Sequence, residues 1–128
     1  MNRRAKPRAK SLKDYPEASR LLALKNRAAF NALATSTGTE GNIATLYAAV
    51  VMARKLAGMF GHGAAYSLEI DLATAAVKQL WARKAAKFGD LEETCMAVFL
   101  DVHEAQLEIV LVEELDAAIA EIKEEEST

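Results

Sequence analysis

The sequence predicts an all-α protein: a four-helix bundle-like domain with a long C-terminal helix and a disordered basic N-terminal tail. Three observations carry this. The 128 residues are 52% apolar, much of it alanine, with only 6% aromatics and two prolines, a helix-forming composition. From Asp90 to Glu126 the apolar residues recur mostly three, four or seven apart, which is helical spacing. A chain of this length also buries a real core without disulfides or metal, so one domain is expected. The expected division is residues 1–13 as a flexible basic tail and 14–128 as a single helical domain.

Met1 to Lys13 holds Arg3, Arg4, Lys6, Arg8, Lys10 and Lys13, one apolar anchor in Leu12, and Pro7, which blocks a helix. Asp14-Tyr15-Pro16-Glu17 reads as a helix start, with Asp14 capping and Pro16 in the first turn. That helix is expected to reach about Ala34, with Leu21, Leu22, Ala28, Ala29, Ala32 and Leu33 inward and Arg20, Arg27 and Asn31 on the opposite side. Thr39 should cap a second helix over roughly Glu40 to Gly58. Ile43, Leu46, Tyr47, Val50, Val51 and Leu56 make it apolar on most sides, and its many alanines allow close packing on the long helix. Gly58, Gly61 and Gly63 then form a loose bend around His62. A third helix runs from about Ser67 to Phe88, and Gly89 ends it.

Asp90 to Glu126 reads as one long helix, with Asp90 as N-cap and Glu93 completing a capping box. Ile109, Val110, Leu111 and Val112 are consecutive, so they span most of its circumference. With Leu107 and Leu115 they form apolar surface that three shorter helices cannot cover. The β-branched run also has the composition of a local strand. Charged residues at helical spacing on both sides favour the helix.

The net charge of −2 hides a polarity. Residues 1–13 carry six bases and no acid, residues 14–89 balance at +4, and residues 90–128 carry thirteen acids against Lys123 alone. Such polarity speaks to partners rather than to fold. The long helix is interrupted by Asp101, Glu104, Glu108, Glu113 and Glu114, which argues against a membrane span and for a soluble protein. The single Cys95 cannot form an internal bridge, so a cytoplasmic, reducing location is expected. On the apolar face it reads as a small hydrophobe rather than a nucleophile.

No catalytic constellation stands out. Neither His62 nor His103 has a Glu three residues before it, and no His-x-x-x-His pair exists, so no metal or cofactor is expected. Asp101, Glu104 and Glu108 read as a solvated flank. No serine has the G-x-S-x-G context. A helix-turn-helix over Ala34 to Ala44 fails because Thr37 and Thr39 occupy positions that should be apolar.

The segment "NRAAFNALATSTGTEGNIATLYAAVVMARKLA", Asn26 to Ala57, resembles small all-helical proteins of bacterial prophages and plasmids. The resemblance covers about a quarter of the chain and implies a cytosolic accessory protein of a mobile element, with no catalytic residues.

The expected function is therefore a non-enzymatic interaction protein, accessory or regulatory. It would act as a homodimer through Leu107, Ile109, Val110, Leu111, Val112 and Leu115, with a host protein as a further partner. Two alternatives stand beside it. One is nucleic-acid binding by the tail residues named above together with Arg20, Arg27, Lys78, Arg83, Lys84 and Lys87. The other is an acidic mimic of nucleic acid built from Glu113, Glu114, Asp116, Glu121, Glu124, Glu125 and Glu126, inhibiting a host enzyme.

Overall fold

The computed structural model of the chain describes residues 9–84 and 87–127. Among them the protein is all-α, with five helices: α1 (Pro16–Ala34), α2 (Glu40–Phe60), α3 (Ser67–Arg83), α4 (Asp90–Ile109) and α5 (Val112–Glu126). Short 3-10 turns lie at Leu12–Asp14 and Ala64–Tyr66. Helix α2 is the hub, and the other four all pack on it. Its Ile43, Leu46, Val50, Ala53 and Leu56 are buried, and the small Ala49 and Ala53 let neighbouring backbones come close. Thr39 caps α2 as expected. Its hydroxyl accepts from the Asn42 N–H at 3.3 Å, and the Asn42 amide oxygen accepts from the Thr39 N–H at 2.8 Å.

The long C-terminal helix is two helices. Val110 and Leu111 are extended, with ψ of 137° and 147°. They pair with the N-terminal segment as a single antiparallel bridge between Ser11 and Leu111. The Leu12 N–H donates to the Val110 carbonyl at 3.0 Å, and the Val112 N–H donates to the Lys10 carbonyl at 2.9 Å. The Leu111 N–H is taken by the Glu114 carboxylate at 3.0 Å. The break thus leaves its amide donors satisfied, which is what lets a helix interrupt itself inside a core. The β-branched composition lowers the local cost of extension. Beyond the break α5 folds back along α2. Val110, Leu107 and Ala118 join Leu12 and Leu56 in a second small core beside the main one. The apolar surplus is therefore covered within one chain, by α2 and by Leu12.

Other boundaries move as well. Asp14 does not cap α1. It closes a 3-10 turn by accepting from the Ser11 N–H at 2.9 Å, and Pro16 opens α1. The inward face of α1 is Asn26, Ala29 and Leu33, while Leu21 points out, so the helix is turned from the expected phase. Arg27 faces α4 rather than solvent. Helix α3 stops at Arg83, where Lys84 takes a left-handed φ of 52°. Phe88 lies beyond it, buried, its ring 5.4 Å from Phe30 and its N–H on the Leu33 carbonyl at 3.0 Å. Gly89, not Asp90, caps α4, and Glu92 accepts the Gly89 N–H at 2.7 Å. Of the basic tail, Arg3, Arg4, Lys6 and Arg8 lie outside the described residues, whereas Leu12 is anchored in the core.

The bend after α2 contains two left-handed glycines, Gly61 and Gly63, both with φ of 76°. A Cβ on Gly63 would stand 2.8 Å from the Gln106 amide nitrogen, while a Cβ on Gly58 meets nothing within 4 Å. Gly63→Ala should therefore cost on the order of 2 kcal/mol, from the left-handed penalty plus the collision. Gly58→Ala, on an open helical site, should be neutral or stabilise by up to ~1 kcal/mol. Urea unfolding of the two variants beside the parent checks the contrast. Equal effects would contradict the close approach at Gly63.

Candidate functional site

A polar chain runs through the apolar interior. Gln106 on α4 is almost wholly buried, and its amide nitrogen donates to the Ala53 carbonyl at 3.0 Å and the His62 carbonyl at 2.8 Å. Both amide protons are thereby used, so its oxygen accepts from His103 Nδ1 at 2.9 Å. The His103 ring stacks on Phe99, 5.6 Å between centroids and 10° between planes. Burial pushes the His103 pKa down, opposed by the Gln106 hydrogen bond and the Glu104 charge. His103 is thus neutral at pH 7, with its proton on Nδ1. The chain continues outward. The His62 Nε2 lies 2.8 Å from Glu114, whose carboxylate also holds the Leu111 N–H. The Leu111 N–H, then His62, hold the Glu114 carboxyl below the usual carboxylate range.

Among the described residues expected to bind nucleic acid, the arginines are paired with carboxylates. Arg27 is clamped to Asp101 at 2.7 Å and to Glu104 at 2.8 Å, tying α1 to α4. Of the acids expected to form a solvated flank, Asp101 and Glu104 thus pair with Arg27, and Asp101 and Glu108 are exposed. Arg83 makes two bonds to Glu92, at 2.6 and 2.5 Å, across the turn from α3 to α4. Arg20 pairs with Glu17 on the surface. A guanidinium held by carboxylates is a poor phosphate ligand. Lys10 lies over the Tyr15 ring, while Lys13, Lys78, Lys84 and Lys87 are exposed.

The acids of the proposed mimic are divided too. Glu114 is bound by His62 and Glu125 by Lys55, while Glu113, Asp116, Glu124 and Glu126 face solvent and Glu121 is half-buried. Of the residues expected at a dimer interface, Leu107 and Val110 are inside the core, and Leu111, Val112 and Leu115 are half-buried. Only Ile109, 55% exposed, stands out. Cys95 is half-buried. Among the described residues no three His, Cys, Asp or Glu side chains are grouped as metal ligands.

A surface the sequence reading passed over is the outward face of α2. This helix is long and apolar enough to cross a membrane by length and composition, with mean hydropathy 1.4 over an 18-residue window. Only 33% of that window is buried by the fold. Ala44 and Tyr47 meet Lys78, Trp81 and Ala82 of α3 around a pocket of about 400 Å³. Farther along, Val51, Arg54 and Met59 meet Ile122, Glu125 and Glu126 of α5 around one of about 570 Å³. Tyr47 lines both. Trp81 is 53% exposed. The signal was present in the sequence as a helix apolar on most sides, but which side stays open depends on its neighbours.

The fold and this face define a small all-helical protein with two open pockets along its hub helix. Comparison with known protein families, curated proteins and solved structures gives no match to the chain.

The shifted groups set a pH dependence. Because the pKa of His103 is lower in the fold, the unfolded chain binds its proton first. That contribution is complete above about pH 6.5, the ordinary value, and is lost as pH falls below it. Glu92, lowered chiefly by its bonds to Arg83, and Glu114 act at lower pH. Their contribution is complete above about pH 4.3 and is lost as pH falls through their lowered values. The urea midpoint should accordingly fall in two stages on acidification. His103→Phe should flatten the upper stage and Glu92→Gln the lower. An unchanged slope between pH 7 and 5 in His103→Phe would contradict the first assignment.

Proposed function

We propose that the protein is a non-enzymatic helical interaction protein that acts as a homodimer, joined through the outward face of α2. The observation that carries this is the pair of open pockets that share Tyr47, one bounded by Trp81 and the other by Met59, on a helix only one-third covered by its own chain. Exposed apolar surface of this extent, rimmed by charge, is the kind that associates. At one end Lys78 lines the face, with Lys84 beyond it on α3, and at the other Glu125 and Glu126 of α5 stand beside Arg54 and Lys55. A two-fold contact that sets Lys78 of one copy against Glu126 of the other lets one surface complement itself. Trp81 and Tyr47 supply large, semi-rigid aromatic area to such a contact.

Sedimentation and tryptophan emission test this together, because Trp81 is the only tryptophan. At micromolar concentration the particle should have twice the mass of one chain, and dilution should shift Trp81 emission to longer wavelength as it meets water. Trp81→Glu should leave a folded monomer. Lys78→Glu should weaken the dimer about tenfold, and the added change Glu126→Lys should restore it. A single-chain mass at every concentration, with constant emission, would overturn the reading.

A further inference from the structure

We propose that the outer groove between α3 and α4 is a docking site for an amphipathic helix of another protein, apolar at heptad spacing and carrying a lysine or arginine where it passes Glu69. The site shares no residue with the two pockets on α2, so it does not rest on the homodimer.

On α4, Leu91, Cys95, Val98, Val102, Ala105 and Ile109 follow one another at alternating intervals of four and three. That is the seam pattern of a helix paired along its length. The fold leaves most of this seam uncovered. The core takes Met96, Leu100 and Leu107 from other sides of α4, while Leu91 is 77%, Val98 45% and Ile109 55% exposed.

Helix α3 forms the second wall. Arg83 of α3 reaches Glu92 of α4, which fixes the sides on which the two helices face each other. Counting back from Arg83 by four and three places Ala76, Leu72 and Glu69 on that same side of α3. Counting forward from Glu92 by three and four places Cys95, Val102 and Ile109 on the facing side of α4. Ala76 and Val102 are buried, whereas Leu72, Val98, Ile109 and Leu68, one turn before Leu72, are exposed. Apolar lips over a floor of small buried side chains suit a third helix.

Charge selects the occupant. Packed helices joined by so short a connection run antiparallel, so Glu69, fourteen residues before Arg83, stands level with Gln106, fourteen after Glu92. Glu69 is half-buried, and its Oε2 is out of water with no hydrogen-bond partner among the described residues. A carboxylate in that condition gains from an incoming cation. Asp101 and Glu108 are exposed, each one residue before a member of the seam, where a paired helix places its opposite charge. Lys84 and Lys87 are exposed in the connection at the other end, so the partner's base belongs at the Ile109 end. A second copy is the poorer occupant. Pairing the seam with itself about a two-fold axis centres on Leu100 and brings Asp101 of both copies together, where like charges repel.

The test uses two synthetic helices of three heptads, identical in their leucines, one with lysine and one with glutamate at the flanking positions. Each carries a fluorophore and is titrated with the full chain. The lysine helix should bind at micromolar concentration, about tenfold more tightly than the glutamate helix. It should also slow the reaction of Cys95, half-buried on the seam, with a thiol reagent. Glu69→Gln removes an unpartnered charge, so it should fold, and it should cut the preference for lysine to about threefold. Val98→Glu, at an exposed position, should abolish binding although its added negative charge would tighten a merely electrostatic contact. Trp81→Glu, on the α2 face, should leave binding unchanged. Each of five results would overturn the proposal: no saturation by the lysine helix below about 100 micromolar, equal affinity for both helices, Cys95 reacting at one rate with and without the helix, a lysine preference untouched by Glu69→Gln, or a particle mass halved by Val98→Glu, which would make a second copy the occupant.

Discussion

One side-chain amide holds three parts of this molecule in register. Gln106 has two protons and one oxygen, and the fold uses all of them: on the hub helix at Ala53, on the bend at His62, and on the ring of His103. Each partner is buried or nearly so, and each would be left unsatisfied without it. The net worth of such a bond is modest when it forms, but the cost of leaving buried groups unpaired is larger. That asymmetry explains the local geometry. The bend must pass close enough for the His62 carbonyl to reach the amide, which leaves room only for glycine at position 63. The hub must present a small residue at the crossing, and Ala53 is fully buried there.

The same neighbourhood explains why the acidic third of the chain turns back on itself. Once His62 is fixed by its carbonyl, its ring faces Glu114, and Glu114 in turn holds the amide of Leu111. The first turn of α5 is thereby anchored at the end of α2, and the segment from Lys10 to Leu12 closes the gap on the other side. Val110 and Leu107 become interior residues instead of the surface of a projecting rod. The exposed apolar area moves elsewhere, to the outward face of α2 and the seam along α4. The question of what the protein binds moves with it.

Charge follows the same logic. A sequence basic at one end and acidic at the other suggests partners of opposite sign. In the fold much of that charge is spent internally: Arg27 on Asp101 and Glu104, Arg83 on Glu92, Lys55 on Glu125. The Arg27 and Lys55 pairs join helices far apart in sequence and the Arg83 pair joins two consecutive ones, so they read as fasteners between elements. Of the charge left at the surface, Lys78 on α3 and Glu126 at the tip of α5 line the outward face of α2.

The sequence by itself determined that the protein is helical, where α2 begins, and that glycines must punctuate the bend after it. Those are short-range matters: alanine content, the Thr39 cap, the spacing of Ile43, Leu46 and Val50. Whether residues 90–126 made one helix or two was not short-range. Every residue of that stretch accepts a helix, and the break at Val110 exists because a bridge to Ser11 and a carboxylate at Glu114 satisfy the freed amides. Those partners come from the other end of the chain and from the far side of the turn. The phase of α1 was likewise decided by packing, which buries Asn26 and leaves Leu21 in water. So the joint placement of Leu72 and Val102 at one groove, and of Tyr47 and Trp81 on one face, was legible only once the helices had chosen their neighbours. Periodicity marks which sides of a helix are apolar, but only the tertiary structure decides which of them another helix covers.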